Sequence, residues 1–471
     1  MSSRALCRVL PWTVLLAGCA VGPDYVRPES GLPAAFPEGA GAPDRGGVAA
    51  DWWQGFGEPE LTRLVGRALA ANTDVRAAAA RWEEADAQLA DVAGAGVPAI
   101  DATGEADRFK VSSGTFLPVG GNAPGRNRRM QRAGLVTSFE LDFWGRLRRA
   151  EEAARAQMLA AEEGVAQVRL GLAVSVVRTY SALRTADASA AAAETLVAAR
   201  EEGLRLARRR TDLGVAVPAE AARAEVALAA AAAGLAEVRR TRAQAEHLLG
   251  FLTAEPALVV PRDARPLPSP PLPVAGLPSD LLSRRPDVRA AEQALIAANA
   301  RIGFAKAARY PSFTLTGALG TESRTFGGLF QSETATSDLG LDLRAPLFDA
   351  GRLAARVDAA IAAQHQAVAA YEGAARNAFR EVRDALAEVR ETALAAEAAD
   401  RRETAAAEVL RVAAARGAAG QAPPTELLEA RQAQAESQLA VARVRQERLE
   451  AQLALIRSLG GSRPDLIPPP R

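Results

Sequence analysis

Residues 135–143 read Leu-Val-Thr-Ser-Phe-Glu-Leu-Asp-Phe. In an extended chain, side chains alternate between two faces. Leu135, Thr137, Phe139, Leu141 and Phe143 then share one face, and Val136, Ser138, Glu140 and Asp142 the other. Apolar residues against charged ones over about ten positions is the weak pattern of a transmembrane β-barrel strand. A soluble hairpin with one wet face alternates in the same way, so this stretch alone leaves both readings open. The pattern returns twice. Phe313, Leu315, Gly317 and Leu319 alternate with Thr314, Thr316, Ala318 and Gly320, and Leu339, Leu341 and Leu343 alternate with Gly340, Asp342 and Arg344. Pro98 and Pro311 hold the residue before them extended and mark where a helical period gives way to a period of two. The loops around Gly114–Gly125 and Arg324–Glu333 are rich in Gly, Ser and Thr.

The chain beyond the quoted strand changes period again. Leu147, Ala150, Ala154, Met158, Ala161, Val165, Val168, Leu172, Val176, Thr179 and Leu183 follow one another at steps of three and four. Leu353, Val357, Ile361, Gln364, Val368, Tyr371, Ala375, Phe379, Val382, Leu386 and Val389 do so in the second half. Such spacing is a coiled-coil seam, and alanine at many seam positions allows close helix approach. A single helix over residues 145–210 would be about 100 Å long at 1.5 Å per residue. Thr211-Asp212-Leu213-Gly214-Val215 is the expected turn, after which Pro218 opens a returning helix at a position that tolerates proline. Gly420 and Pro424 repeat this arrangement. The returning helices are expected over about 218–250 and 424–459, with Gly250 and Gly460 as caps.

These correspondences belong to a duplication. Asp74-Val75-Arg76-Ala77-Ala78 recurs as Asp287-Val288-Arg289-Ala290-Ala291, an offset of 213 that also carries Pro98 to Pro311 and Gly104 to Gly317. At an offset of 206, Gly145-Arg146-Leu147 matches Gly351-Arg352-Leu353, and Arg210, Gly214, Pro218 and Glu220 match Arg416, Gly420, Pro424 and Glu426. Each copy reads as a helix, two strands and a long helical hairpin. The opening helices are expected from about Pro59 to Val92 and from Asp287 to Ala308. The organisation is therefore a signal peptide (1–18), an N-terminal tether (19–58), repeat 1 (59–250), a Pro-rich extended linker (251–286), repeat 2 (287–460) and a tail (461–471).

The start of the chain bears on the choice between membrane and water. Arg4 and Arg8 flank a short apolar run, Val9 to Leu16, which meets Leu16-Ala17-Gly18-Cys19. The run is too short to span a bilayer as a helix, and the small residues before Cys19 suit a cleavage site. Leu-Ala-Gly-Cys resembles a bacterial lipobox, which makes Cys19 the lipidated first residue of the mature chain and outer-membrane lipid a partner. Ala20, rather than Asp, follows it, as in lipoproteins sorted to the outer membrane. Cys7 leaves with the signal, so no disulfide or cysteine-held metal remains. Behind such a signal, four alternating strands favour the membrane. Four strands cannot close a barrel, and open edges are not tolerated in lipid. Several chains must share one barrel: two give eight strands and three give twelve.

Composition narrows the function. The chain is rich in Ala, Arg and Glu, poor in aromatics, and carries a formal net charge of +1. Its arginines alternate with glutamates along helix faces rather than forming a basic stripe, which argues against a nucleic-acid partner. No Gly-rich phosphate loop, zinc-ligand cluster or catalytic triad is present. His247 and His365 lie inside helical patterns without nearby ligand partners. The expectation is no enzyme, no cofactor and no metal.

With these pieces placed, the chain resembles the TolC/OprM family of outer-membrane efflux ducts, and in particular its NodT-like outer-membrane factor lipoproteins of resistance-nodulation-division efflux systems. Val21-Gly22-Pro23-Asp24-Tyr25-Val26-Arg27-Pro28 directly after Cys19 carries the resemblance. So do Asp51-Trp52-Trp53, with Phe56, Pro59 and Leu61 behind them, and the duplicated unit. The resemblance implies a mixed α and β fold, with four strands per chain in a twelve-stranded barrel shared by a homotrimer. A periplasmic α-helical coiled-coil tunnel continues that barrel. It implies a passive exit duct reached from an inner-membrane efflux pump through a periplasmic adaptor (a membrane fusion protein). The adaptor would meet the hairpin tips, Leu213-Gly214-Val215 and Ala419-Gly420-Gln421, although the glycines also serve simple turn geometry. Glu426 and Glu429, with Arg416 and Arg210 nearby, would border a periplasmic entrance, where threefold symmetry gathers six carboxylates. Acidic residues at a helix start have a plainer use beside the helix dipole. The first copy has Glu220 and Arg223 at the matching places, which would allow a salt link between neighbouring hairpins. One departure concerns the tyrosine often found three residues before the tip glycine in this family. Thr211 and Gly417 stand there instead, which puts any latch built on a tyrosine hydroxyl in doubt. The rival reading is a periplasmic coiled-coil scaffold or adaptor lipoprotein that never enters the membrane.

Overall fold

The computed structural model describes residues 20–29, 31–37, 48–110, 127–270, 272–273, 276 and 278–461. The expected signal peptide, the lipidation of Cys19, the Gly114–Gly125 loop and the tail beyond Gly461 lie outside the described residues. Repeat 1 contains α1 (Pro59–Ala71), α2 (Thr73–Gly94), β1 (Ala99–Lys110), β2 (Asn127–Glu140), α3 (Arg146–Asp212) and α4 (Pro218–Leu252). Next come α5 (Pro278–Arg284), α6 (Pro286–Ala307), β3 (Ser312–Ser323), β4 (Ala335–Arg344), α7 (Arg352–Ala418) and α8 (Pro424–Ser458). The duplication extends to element lengths: α3 and α7 each have 67 residues, and α4 and α8 each have 35.

The strands form one antiparallel sheet in the order β1-β2-β3-β4, so the two copies join where β2 pairs with β3. The register aligns the alternation across the strands. Phe139 lies opposite Leu315, which lies opposite Leu341; Leu135 lies opposite Leu319. Ile100, Thr137, Gly317 and Leu339 form a row on the same face. The leucines on this face are exposed, Leu339 at 81%. The opposite face carries Asp101, Glu105, Arg132, Glu140, Glu322, Asp338 and Asp342. A one-residue slip would exchange the faces of a strand, so the pairing itself enforces the segregation.

Two compact units each keep their own packing. The first comprises the sheet with the adjoining helix segments, residues 82–160 and 291–371, and the chain up to Pro28. Alanine packs against alanine there: Ala153 and Ala156 of α3 meet Ala297 and Ala300 of α6, beside Ile296. The second unit holds residues 161–290, 372–471 and 29–81. Its largest sealed side chains include Tyr180, Leu183, Leu249, Leu281, Leu453 and Ile456. On α7, Tyr371, Ala375, Ala378, Val382 and Ala385 are buried at steps of four and three, the spacing of a helical seam. Two buried ion networks lie in the second unit. Asp187 accepts from Arg242 at 2.7 Å, and Arg184 lies 2.8 Å from Asp263. Arg285 reaches both Asp287 and Glu381 at 2.7 Å.

The structure departs from the sequence reading in four places. The helix expected over 59–92 is broken at Asn72, whose backbone is extended. Its Oδ1 accepts from the Asp74 amide at 2.8 Å, and its Nδ2 donates to the Leu252 carbonyl at 3.1 Å; a buried asparagine thus caps a new helix. The stretch 251–286, expected to be extended throughout, ends in α5, which Pro278 opens and buried Leu281 and Leu282 anchor. Gly250 does not cap its helix, which runs on to Leu252 with Thr253 as cap. A Cβ on Gly250 would lie 2.7 Å from the Glu255 carbonyl oxygen, so glycine serves close backbone approach there. Finally, residues 20–28, expected only as part of an irregular tether, are held down by specific bonds described below.

Candidate functional site

Both hairpin turns use one device. The Val215 amide donates to the Arg210 carbonyl at 3.0 Å and the Gly214 amide to the Thr211 carbonyl at 2.9 Å. Gln421 and Gly420 donate in the same way to Arg416 and Gly417, at 2.8 and 3.0 Å. These paired bonds are a Schellman cap. Gly214 and Gly420 take φ of 70° and 69° with open space around them, so backbone conformation rather than crowding selects glycine. Gly420→Val should therefore destabilise its hairpin by about 1–2 kcal/mol, while Gly420→Asn, which tolerates this region, should cost far less. Apparent melting of the detergent-purified protein distinguishes them; equal behaviour of the two variants would contradict this account. The tips differ chemically. Leu213, Val215 and nearby Val217 are exposed apolar residues, whereas Ala419, Gly420 and Gln421 are exposed but small or polar.

The charges named from sequence resolve into two clamps and one free carboxylate. Arg210 pairs with Glu220 at 2.8 Å and Arg416 with Glu426 at 2.6 Å. Each arginine sits in the last turn of a long helix and each glutamate in the first turn of the returning one, where both complement the helix dipoles. Exposed pairs of this kind contribute at most about 1 kcal/mol, so their main effect is to fix the turn. Glu429 is exposed and makes no ion pair or hydrogen bond among the described residues. The same holds for Arg223 at the matching place in the first copy. Where the family often has tyrosine, Thr211 bonds back to the Ala207 carbonyl at 3.0 Å within its own helix, and Gly417 offers no side chain.

On the charged face of the sheet, Arg132 bridges three strands. It lies 3.1 Å from Glu105 on β1 and 2.9 Å from Glu322 on β3. Where strands meet helices, aromatic rings cluster: Trp144 stacks on Tyr310 at 4.7 Å, and Phe143 meets Phe313 edge-on at 5.1 Å. Leu347 and Phe348 are 96% and 91% exposed. Aromatic and apolar side chains at a sheet boundary match the girdle of a membrane-embedded barrel.

The segment behind Cys19 docks on this same unit. The Val21 amide donates to the Trp144 carbonyl at 2.9 Å, and Asn299 Nδ2 donates to the Pro23 carbonyl at 2.9 Å. Arg149 pairs with Asp24 at 2.7 Å. Glu292 accepts two bonds from Arg27 at 2.7 Å and one from the Tyr25 hydroxyl at 3.0 Å. Burial, followed by the Glu292 carboxylate, raises the Tyr25 hydroxyl well above its ordinary pKa. Gly22 abuts Gly303 so closely that a Cβ on Gly22 would lie 2.5 Å from the Gly303 Cα. Sequence reasoning quoted residues 21–28 but missed their partners Glu292, Arg149, Asn299 and Gly303. Gly303 offered the one cue, a glycine inside a helical pattern, which is costly unless something needs the space.

A family model described as outer membrane efflux protein matches residues 64–255 and 277–461, one segment for each copy of the repeat. Among curated proteins, the chain is 32% identical over 395 residues to the probable efflux pump outer membrane protein TtgC of Pseudomonas putida, covering 82% of this chain and 80% of the relative. It is 33% identical over 398 residues to the cation efflux system protein CusC of Escherichia coli K12, covering 81% and 83%. Among solved structures, the outer-membrane channel OprN superposes with a TM-score of 0.83 at 31% identity, covering 94% of this chain and 99% of that one. The open state of the MtrE outer membrane channel of Neisseria gonorrhoeae gives 0.80 at 30% identity, covering 94% and 98%.

Proposed function

The chain belongs to the outer membrane efflux protein family, and from that premise we propose that it is the trimeric exit duct of a tripartite pump. It is an outer-membrane efflux channel and not an enzyme. The observation that carries the fuller reading is the four-stranded sheet with an exposed leucine face, a charged face and unpaired outer edges on β1 and β4. In lipid those edges must be satisfied, and three chains placing β4 of one beside β1 of the next make a closed barrel of twelve strands. The charged faces then line water and the leucines face acyl chains. The aromatic boundary around Trp144 would sit at the headgroups, and Ala20, the residue that follows the proposed lipid anchor, packs against Gly145 beside it. The scaffold alternative would leave the leucine face in water, a large exposed apolar patch without a purpose.

A periplasmic adaptor is the proposed partner of the tips, linking the duct to an inner-membrane pump. The apolar tip of the first copy, Leu213 to Val217, supplies contact area; the second supplies Gln421 and the backbone. For the entrance, the Arg416 clamp neutralises Glu426, so Glu429 carries the free charge of the proposed acidic ring. Three such carboxylates near an axis would favour cations.

Single-channel conductance of the detergent-purified protein in planar bilayers tests both levels. The expected result is discrete cation-preferring openings, with a preference that falls in Glu429→Ala and falls further in Glu426→Ala/Glu429→Ala, which also leaves the Arg416 charge unmatched. Channels indifferent to these changes would remove the ring and leave the duct. A folded oligomer with no channel activity would sink the duct itself.

A further inference from the structure

The leucine face of the sheet changes chemistry toward the strand ends remote from Trp144. Along β1 it passes from Ile100 and Ala102 to Arg108 and Lys110, and along β2 from Phe139 and Leu135 to Arg129. The register sets Arg108 directly opposite Arg129, and like charges so placed repel. All three cations are exposed, and none makes an ion pair or hydrogen bond among the described residues. The acids at this end are turned away or engaged. Asp107 lies on the charged face opposite Met130, and Glu105 and Glu322 are held on that face by Arg132. The leucine face of β4, which would meet β1 of the next chain, presents Ala335, Ser337 and Leu339. Residues 111–126, which link β1 to β2, contain no Asp or Glu. Glu333, in the turn before β4, is exposed and makes no ion pair among the described residues.

The height of these cations says what they meet. Ten residues separate Arg129 from Phe139, and ten separate Lys110 from Ile100. At about 3.3 Å per residue and a strand tilt of about 40°, that is roughly 25 Å of height, the thickness of the apolar band in such barrels. The cations stand at the far headgroup level, where a charge on the lipid side costs little. Phe326 and Phe330, 70% and 82% exposed, pair edge-on at this same end, with Gly328 between them crowded against the Ser323 side chain of the leucine face. Beneath, a groove of about 430 Å³ runs over that face between Ile100, Leu135, Gly317, Leu319 and Leu339, open to an acyl chain. Three unmatched positive charges suit a phosphomonoester, with nearly two negative charges, better than a singly charged phosphodiester. We propose that Arg108, Lys110 and Arg129 form a binding site for the phosphomonoester headgroup of an outer-leaflet lipid whose acyl chains lie on the leucine face beneath. The inference rests on the reading that this face meets lipid.

Native mass spectrometry of the full-length, detergent-purified trimer tests it with added diphosphoryl lipid A, a glucosamine lipid bearing two phosphomonoesters. Wild type is expected to bind this lipid, Arg129→Gln about fivefold more weakly and Arg108→Gln/Arg129→Gln about 25-fold more weakly. Arg128→Gln removes one charge from the opposite face of the same strand end and should bind as wild type does. Equal weakening in Arg128→Gln would overturn the proposal, because net charge alone would then explain the binding. Displacement of the lipid by inorganic phosphate at equal ionic strength would overturn it in favour of a free-ion site. Undiminished binding of lipid A stripped of its phosphates would do so too, leaving acyl contacts alone. Glu333→Gln should leave the trimer as heat-stable as wild type; a loss there matching that of Arg108→Gln would give the cation to Glu333 across the chain junction and remove the lipid site. Every variant is scored as an assembled, conducting trimer, so failure of the site is separable from failure of the duct. Should the double variant not assemble, Lys110→Gln is read in its place.

Discussion

Replacing Leu339 by arginine will abolish stable trimers in the outer-membrane fraction, whereas arginine at the adjacent Asp338 will not. Leu339 sits mid-strand in β4 on the leucine face, directly across from Gly317. Arginine at a lipid-facing position near the bilayer midplane costs about 2–4 kcal/mol. Threefold symmetry repeats that cost three times, for a total of about 6–12 kcal/mol, which rivals the net stability of an ordinary domain. Asp338 projects from the opposite face, where a charge already stands in water. Its replacement should spare assembly and weaken the channel's preference for cations. The readout is heat-modifiable trimer on gels of the outer-membrane fraction, followed by conductance of whichever variant assembles. If both variants assemble equally, the leucine face does not meet lipid, and the scaffold reading returns.

The second large effect is expected at Gly22. Its φ of 118° is one that other residues rarely adopt, and a side chain would collide with the backbone at Gly303. Strain at such a position costs about 1–3 kcal/mol and overpacking a similar amount, so Gly22→Val faces about 2–6 kcal/mol against docking of residues 20–28. The bonds lost with docking include the Asp24–Arg149 pair and the three bonds accepted by Glu292. Limited proteolysis should then cut within residues 20–28, while mass spectrometry finds the acyl chains on Cys19 unchanged. Gly22→Ala should show the same cleavage to a lesser degree. Undiminished protection in Gly22→Val would mean that the segment docks without the glycine contact.

Much of this architecture could be read from the sequence, because its determinants are periodic or repeated. The alternation at 135–143 fixed which residues share a face, and the register of β2 against β3 and of β3 against β4 keeps those faces aligned. The offset of 206 between copies anticipated two equal hairpins with glycine turns, and α3 and α7 match in length. What escaped was aperiodic. Asn72 fits a helical pattern, and only its bond to the Leu252 carbonyl, 180 residues away, shows why the helix breaks there. Gly250 resembles a terminating glycine because a cap and a close backbone approach call for the same residue. The bonds that hold the N-terminal segment join residues 267 positions apart in the case of Tyr25 and Glu292, and no local pattern encodes such a pairing. At the candidate entrance, sequence named Arg416 and Glu426 but not their mutual neutralisation, which depends on how tightly the turn brings the two helix ends together.

The tandem arrangement also bears on how such a duct can evolve. A ring built from six identical half-length polypeptides would present one chemistry six times, and any substitution would strike every position at once. Joining two copies in one gene relaxes that constraint, because the proposed trimer then alternates two kinds of tip that can mutate independently. The descendants have already parted: Leu213 and Val215 against Ala419 and Gln421, Arg223 against Glu429. One rim can accumulate changes that suit a new docking partner while the other preserves the existing fit. Gene fusion has given selection two adjustable surfaces where sixfold identity would have allowed one.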